Sequence, residues 1–198
     1  MATRQISERG EEILSKKCKH VKEITPRILQ LCDDMVETMK EADGVGLAAP
    51  QVGVMKRIFV AMPHVSSEEE EIRDKIYYMI NPEIIYTEGE QASTEGCLSV
   101  PGYMGLVDRP MKIGIRAMDT DGQVKEYEFE GFEATVMCHE NDHLNGVLYC
   151  DIAKEFITVE EYAERLEALK EEQEKAEIVN HDEINRDDSV TNEEKNGL

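Results

Sequence analysis

The sequence predicts an α+β fold: mostly antiparallel strands around a central HExxH helix, with an N-terminal helix and a C-terminal helix. Three observations carry this. A helical apolar period begins after Thr25-Pro26, short strand-like runs fill the stretch from Arg57 to Phe132, and His139-Glu140-Asn141-Asp142-His143 sits in a further helical segment.

Taken in order, the N-terminus MATRQISERGEEILSKK is charged and lacks the apolar centre of a signal peptide. Thr25 is an N-cap candidate with Pro26 at the first helical position, and Ile28, Leu31, Cys32, Met35 and Met39 share one face of the helix that begins there. That helix ends before the Gly44 loop. Strands are expected at Ile58 to Met62, Tyr77 to Ile80, Ile84 to Thr87, Lys112 to Met118 and Val124 to Phe129, and Asp121-Gly122 marks a hairpin. Ser66 to Lys75, with four consecutive Glu, reads as a solvated loop. The apolar stretch Phe132 to Met137 leads into the HExxH segment, and Gly146 is a helix stop. Thr158 with Glu160 and Glu161 just beyond it resembles another helix start, with Tyr162, Leu166 and Leu169 at helical spacing through about Lys175. From Asn180 to Leu198 the period fails, and a disordered tail is expected.

The chain has 198 residues, enough for one domain with an appendage, and a formal net charge of −21 from 22 Lys+Arg against 43 Asp+Glu. That acidity excludes phosphate-backbone binding as the main activity, since the electrostatic attraction would carry the wrong sign. Residues 151–198 hold a net of −10 of it, on 16 acidic and 6 basic side chains. The five cysteines, Cys18, Cys32, Cys97, Cys138 and Cys150, are odd in number and match no secreted framework, so they read as thiols in a reducing compartment. No apolar run approaches about 18 residues, and a soluble, cytoplasmic protein is expected.

On a helix, positions i and i+4 share a face. His139 and His143 can therefore meet one divalent metal while Glu140 projects beside the open coordination position. With 5 His in 198 residues, the composition predicts roughly 0.02 chance matches to this template, so surface histidines on a polar helix are the weaker reading. A catalytic site needs a third protein ligand. His20, His64, Cys150 and Cys97 are the candidates. Cys97 is the best placed, because Gly96 permits close backbone approach and Pro101 stops the strand; a small core residue is its equal alternative on spacing alone. The loop Gly44-Val45-Gly46-Leu47-Ala48-Ala49-Pro50-Gln51-Val52-Gly53 contains a GxGxxA pattern. A dinucleotide site would need a strand before the glycines and an unbroken helix after them; here a helix comes before and Pro50 interrupts the segment after, so that reading fails. Close backbone contact with an extended ligand remains, with Gln51 supplying an amide donor, beside the alternative of a turn with a structural Gln.

Together, GVGLAAPQVG at 44–53, EGCLSVP at 95–101 and HENDHLNG at 139–146 resemble the three motifs of the peptide deformylases, in order and at ordinary separations. Weaker similarity, including Arg109-Pro110, covers roughly residues 4–152. The resemblance implies a catalytic domain at 1–152 and an acidic helix at 153–178, and the composition beyond them leaves a disordered acidic tail at 179–198. It implies Cys97, His139 and His143 as ligands of one divalent ion, ferrous iron foremost, with zinc, nickel or cobalt as substitutes. Thiolate and imidazole donors suit both iron and zinc. It further implies Glu140 as general base and acid, and Gln51 with the backbone N–H of Leu98 as donors to the developing oxyanion. The substrate would lie along Gly44, Val45 and Gly46 as an added strand, its Met side chain against Val45, Phe132 and Val136, which are otherwise plain core. The implied reaction removes formate from N-formyl-Met nascent peptides. Ribosome contact through the C-terminal helix, which some bacterial members use, conflicts with the acidity of this helix; neither membrane nor direct nucleic-acid binding is expected. Two departures bear on preference and oxidation: Cys138 stands where Gln is frequent, placing a soft thiol near the metal, and Tyr103-Met104 stand where some members carry Arg. The alternatives are a zincin-type peptidase, which the HExxH segment alone would allow, and a deformylase-like binder of metal or nascent chains without turnover.

Overall fold

In a computed structural model, residues 2–64, 67–73 and 75–170 are described. The chain divides into two compact units, Met1–Phe156 and Ile157–Leu198. In the first, α1 (Pro26–Glu41) precedes β1 (Gly46–Ala48), a 3₁₀ turn Ala49–Val52 and β2 (Ile58–Ala61). Then come α2 (Glu70–Arg73), β3 (Tyr77–Glu88), β4 (Gln91–Cys97), β5 (Val100–Arg109), β6 (Lys112–Met118) and β7 (Val124–Glu130). The helices α3 (Phe132–Leu144) and α4 (Tyr149–Ile152) are next, with β8 (Glu155–Thr158) at the boundary of the units. One sheet has the order β1-β2-β3-β6-β7, with antiparallel pairings throughout; the other has the order β4-β5-β8.

The larger sheet is buried on both sides at its centre, which is why β2 reads as the uninterrupted apolar run Ile58-Phe59-Val60-Ala61. Ile58 and Val60 pack with Leu31, Cys32, Met35 and Met39 of α1, the face expected from the sequence. Phe59 and Ala61 turn the other way, to Ala134, Val136, Met137 and Cys138 of α3. The α1 start is as expected: the Thr25 side chain accepts a hydrogen bond from the Ile28 N–H, with Pro26 in the first turn. The far end of α3 is closed by Gly146 at φ 77° and by Arg57, whose guanidinium donates to Asn145 Oδ1 at 2.9 Å, Asn141 Oδ1 at 3.3 Å and the Leu144 carbonyl at 3.4 Å.

Four expectations are corrected. Tyr77–Ile80 and Ile84–Thr87 are one strand, because Asn81 takes a positive φ of 52° and bulges the ladder instead of ending it. Its side chain pairs both ways with the Val21 backbone at 2.8 Å. The Ser66 to Lys75 stretch holds the short helix α2. Pro101 does not stop a strand but lies inside β5; the break falls at Leu98-Ser99, the two-residue turn between Cys97 and its partner Val100. The strands β1, β4, β5 and β8 lie outside the expected set.

In the second unit, Thr158 begins a helix as expected. Its N–H donates to Glu161 Oε2 at 2.9 Å, and the Glu161 N–H donates back to Thr158 Oγ1 at 3.1 Å, a reciprocal cap. Helical structure runs over 159–170. The expected continuation to Lys175 and the tail from Asn180 fall outside the described residues.

Candidate metal centre

Three side chains from two elements converge on one point. The helix α3 places His139 and His143 one turn apart, and the end of β4 supplies Cys97. Among the described residues these three form the one group whose donor atoms could hold a metal ion, all within 4.8 Å of one another. Cys97 Sγ lies 3.3 Å from His143 Nε2 and accepts from the Ser99 N–H at 3.4 Å, so the β4–β5 turn itself aims the sulfur. His64 and Cys150 stand elsewhere: His64 bonds Glu133 and Tyr77, and Cys150 packs against the cluster of Leu14, Val100, Val107, Leu148 and Tyr149.

His139 is oriented by Glu95. Its Nδ1 lies 2.8 Å from Glu95 Oε2, which leaves Nε2 for the site. Glu95 is in turn held by Arg109 through both carboxylate oxygens, at 2.6 and 2.9 Å, and Arg109 reaches Asp142 Oδ2 at 2.6 Å. Glu95 and Arg109 are buried. Burial by itself would raise the Glu95 carboxyl, but Arg109 and His139 outweigh it and hold the pKa below the ordinary glutamate value. Glu95 and Asp142 are the functional residues that sequence reasoning missed. Their signal is present but weak, a Glu two residues before the Cys and an Asp inside the HExxH.

Glu140 is 4% exposed, and its Oε2 has no hydrogen-bond partner among the described residues. Burial foremost, with the nearby negative charges of Glu95 and Asp142, raises its pKa to about 7 against the lowering effect of His139. The glycines of the 44–53 loop make room for this chemistry. A Cβ on Gly46 would lie 2.3 Å from Glu140 Oε1, and one on Gly44 would lie 2.7 Å from Leu98 Cδ1. Gln51, 1% exposed, turns its Oε1 to the Ala48 N–H at 2.7 Å and its Nε2 to Ser99 Oγ at 3.1 Å and Cys97 Sγ at 3.6 Å.

A pocket of about 430 Å³ opens over these groups. Gly44, Val45, Gly46, Gln51, Cys97, Leu98, Phe132, Val136, His139 and Glu140 all line it, as does Met104; His143 is not in the lining but completes the donor group with Cys97 and His139. The two departures resolve differently. Tyr103 stacks on Phe156 with ring centroids 4.8 Å apart, while Cys138 is packed into the apolar core, where burial pushes its thiol up to about 12. Cys138 is not among the donor atoms that converge with Cys97, His139 and His143.

The donor set fits a divalent ion: one sulfur and two imidazoles on the same point, an orienting carboxylate behind one of them, and an unpartnered Glu140 oxygen alongside. Residues 3–157 match the family model for polypeptide deformylase. The chain belongs to the polypeptide deformylase family. Deformylases are correspondingly close in sequence: that of Thermoanaerobacter pseudethanolicus is 45% identical over 161 residues, 81% of this chain and 96% of its own. That of Agathobacter rectalis is 50% identical over 153 residues, 76% of this chain and 90% of its own. The crystal structure of the Thermotoga maritima deformylase superposes with a TM-score of 0.72 at 35% identity, covering 78% of this chain and all of that one. The Acinetobacter baumannii deformylase, solved with Met-Ala-Ser bound, gives 0.69 at 34%, covering 76% and 98%. As a deformylase, the chain is a hydrolase that removes formyl groups at a Cys/His/His metal site. A zincin-type peptidase would require a third His or Glu soon after the HExxH; here the third donor is Cys97, from a separate strand.

Proposed function

We propose that Cys97, His139 and His143 hold one divalent ion, ferrous iron foremost with zinc, nickel or cobalt as substitutes, and that Glu140 is the proton carrier of formyl-Met-peptide hydrolysis. The observation that carries this is the buried Glu140 carboxylate, with one oxygen unpartnered among the described residues, in a pocket shared with Cys97 and His139. When bound, the ion supplies Lewis acidity toward water and the formyl carbonyl. Glu140 takes the proton from the attacking water and passes it to the departing Met amine. Gln51 Nε2 and the Leu98 N–H donate to the formyl oxygen as it gains negative charge. Gly44, Val45 and Gly46 pair with the extended substrate backbone, and Val45, Phe132 and Val136 receive the Met side chain. Phe132 is 49% exposed at the pocket rim, more than a plain core residue would be, which supports this use.

Residues 1–152 carry the catalysis in this reading, and the acidic residues beyond them are an appendage to it. The partners are N-formyl-Met nascent peptides, a reading that the Met-Ala-Ser bound to the Acinetobacter enzyme supports, and the setting is the cytoplasm. No helix among the described residues is long and apolar enough to cross a membrane. Any ribosome contact would run through protein or a local basic patch, since a net charge of −21 opposes RNA phosphate. Formate release from formyl-Met-Ala-Ser, with protein purified and assayed without air, is the direct test. Glu140→Ala is expected to lose about 10²- to 10⁴-fold in kcat with metal content retained. Full turnover in that variant would sink the assignment.

A further inference from the structure

We infer that the N-terminal segment Ser7–Arg9 is a positioning brace for the reaction, holding Gln51 and the Cys97 turn in register; this rests on the roles proposed above for Gln51 and Cys97. Those two residues belong to different sheets' surroundings: Gln51 lies just beyond β1 of the five-stranded sheet, and Cys97 ends β4 of the other, with no strand pairing between the two sheets among the described residues. At the site, the Gln51 amide links the two directly, through Ser99 Oγ and Cys97 Sγ.

The segment spans the same joint with its backbone. The Ser7 N–H donates to the Gln51 carbonyl at 2.7 Å, and the Arg9 N–H donates to the Ser99 carbonyl at 2.8 Å. Both acceptors belong to fully buried residues, and the Gln51 carbonyl sits at the end of a 3₁₀ turn, where acceptors lack a partner within the turn. One strap thus meets the carbonyls of two residues whose side chains meet each other.

The strap is anchored on either side of these bonds. Toward the N-terminus, the Arg4 N–H donates to Thr38 Oγ1 at 2.9 Å and the Arg4 guanidinium to Asp34 Oδ2 at 2.8 Å, both on α1. Beyond Arg9, the Glu11 carboxylate accepts from Ser7 Oγ at 3.0 Å and the Glu8 N–H at 2.8 Å, and Leu14 is buried with Val100 and Val107 of β5. The Arg9 guanidinium lies 5.2 Å from the Phe156 ring centroid. A segment fixed at both ends resists rotation of the Gln51 peptide, and that rotation would swing the Gln51 amide away from Cys97.

The test uses Ser7→Pro, which deletes the N–H, against Ser7→Ala, which keeps it, in the parent and in Gln51→Ala. With formyl-Met-Ala-Ser, Ser7→Pro is expected to lower kcat about ten- to a hundredfold, with KM within about twofold and metal content retained. Ser7→Ala, which keeps the backbone N–H and loses the hydroxyl's bond to Glu11, is expected to cost less than about threefold in kcat. In the Gln51→Ala background, Ser7→Pro is expected to cost less than about threefold, because the group it positions is gone. An equal loss in both backgrounds, or no loss in the parent, overturns the brace. A Gln51→Ala enzyme as active as the parent instead overturns the role given to Gln51, a result separable from failure of the brace. Should Ser7→Pro fail to fold, ligation at Cys18 of a synthetic 1–17 segment with an ester in place of the Ser7 amide removes the same N–H without a ring, and the same outcomes decide.

Discussion

Glu95 satisfies the His139 imidazole and two guanidinium nitrogens of Arg109 from a side chain that is itself buried. Replacing it by Gln keeps the shape and removes the charge, so Arg109 is left with Asp142 as its carboxylate partner. Glu95→Gln is expected to weaken metal binding about 10- to 100-fold, read by competition with a chelator, because the partner behind a ligating imidazole sets its orientation and basicity. It should also lower unfolding free energy toward the small end of the about 3–5 kcal/mol for breaking a buried pair, measured by denaturant unfolding. His139, His143 and Glu140 were legible in the sequence because their spacing is local, whereas Cys97 was an even choice on spacing and stood out only through the resemblance of its EGCLSVP segment to a family motif. Glu95 was not, because it acts through Arg109, 14 residues on, and His139, 44 residues on. Cys138, next to His139 along the chain, lies on another face of α3, in the apolar cluster with Phe59 and Ala61.

At the level of elements, β1 and α3 meet so closely that one hydrogen atom decides the contact. Gly46→Ala would place a methyl group against the Glu140 carboxylate, 2.3 Å from Oε1 before any adjustment. We expect kcat for formate release to fall at least about tenfold, with metal content retained, because the cheapest relief is to move Glu140 off its station. Unchanged kcat would show that the carboxylate has another place to sit. The sequence made α1 legible through its cap and apolar face, and β6 and β7 through alternation and the Asp121-Gly122 turn, where Gly122 takes φ 77°. It hid β4, whose residues Gln91-Ala92-Ser93-Thr94-Glu95-Gly96-Cys97 carry no large apolar side chain to alternate, and β5, which opens with Val100-Pro101-Gly102. Strand propensity is weak there, and the pairing of the two supplies what the composition does not.

Across the whole molecule, the N-terminal strap gives a pH signature away from the metal. Burial alone would raise the Asp34 carboxyl, but Gln30, the Ala2 N–H and Arg4 hold its pKa below the ordinary aspartate value. Such a depressed carboxylate stabilises the fold fully above its unfolded pKa, about 3.9, and that contribution fades as pH falls through the folded value. The stability gap between the parent and Asp34→Asn is therefore expected to be present at pH 7 and to shrink below about pH 4, by denaturant titration at each pH. Removing metal should also destabilise the fold at neutral pH: a chelator is expected to lower Tm, and added divalent ion to restore it, since the ion binds the folded arrangement of strand and helix. Cys97 and His143 are 46 residues apart in the chain. At about 5–20 residues per second of synthesis, roughly 2–9 s pass between making the thiol and making its last imidazole partner. During its own birth, the protein carries a solitary sulfur before it owns a metal site, so capture of the ion is a late event in its manufacture and a marker that the hairpin and the helix have found each other.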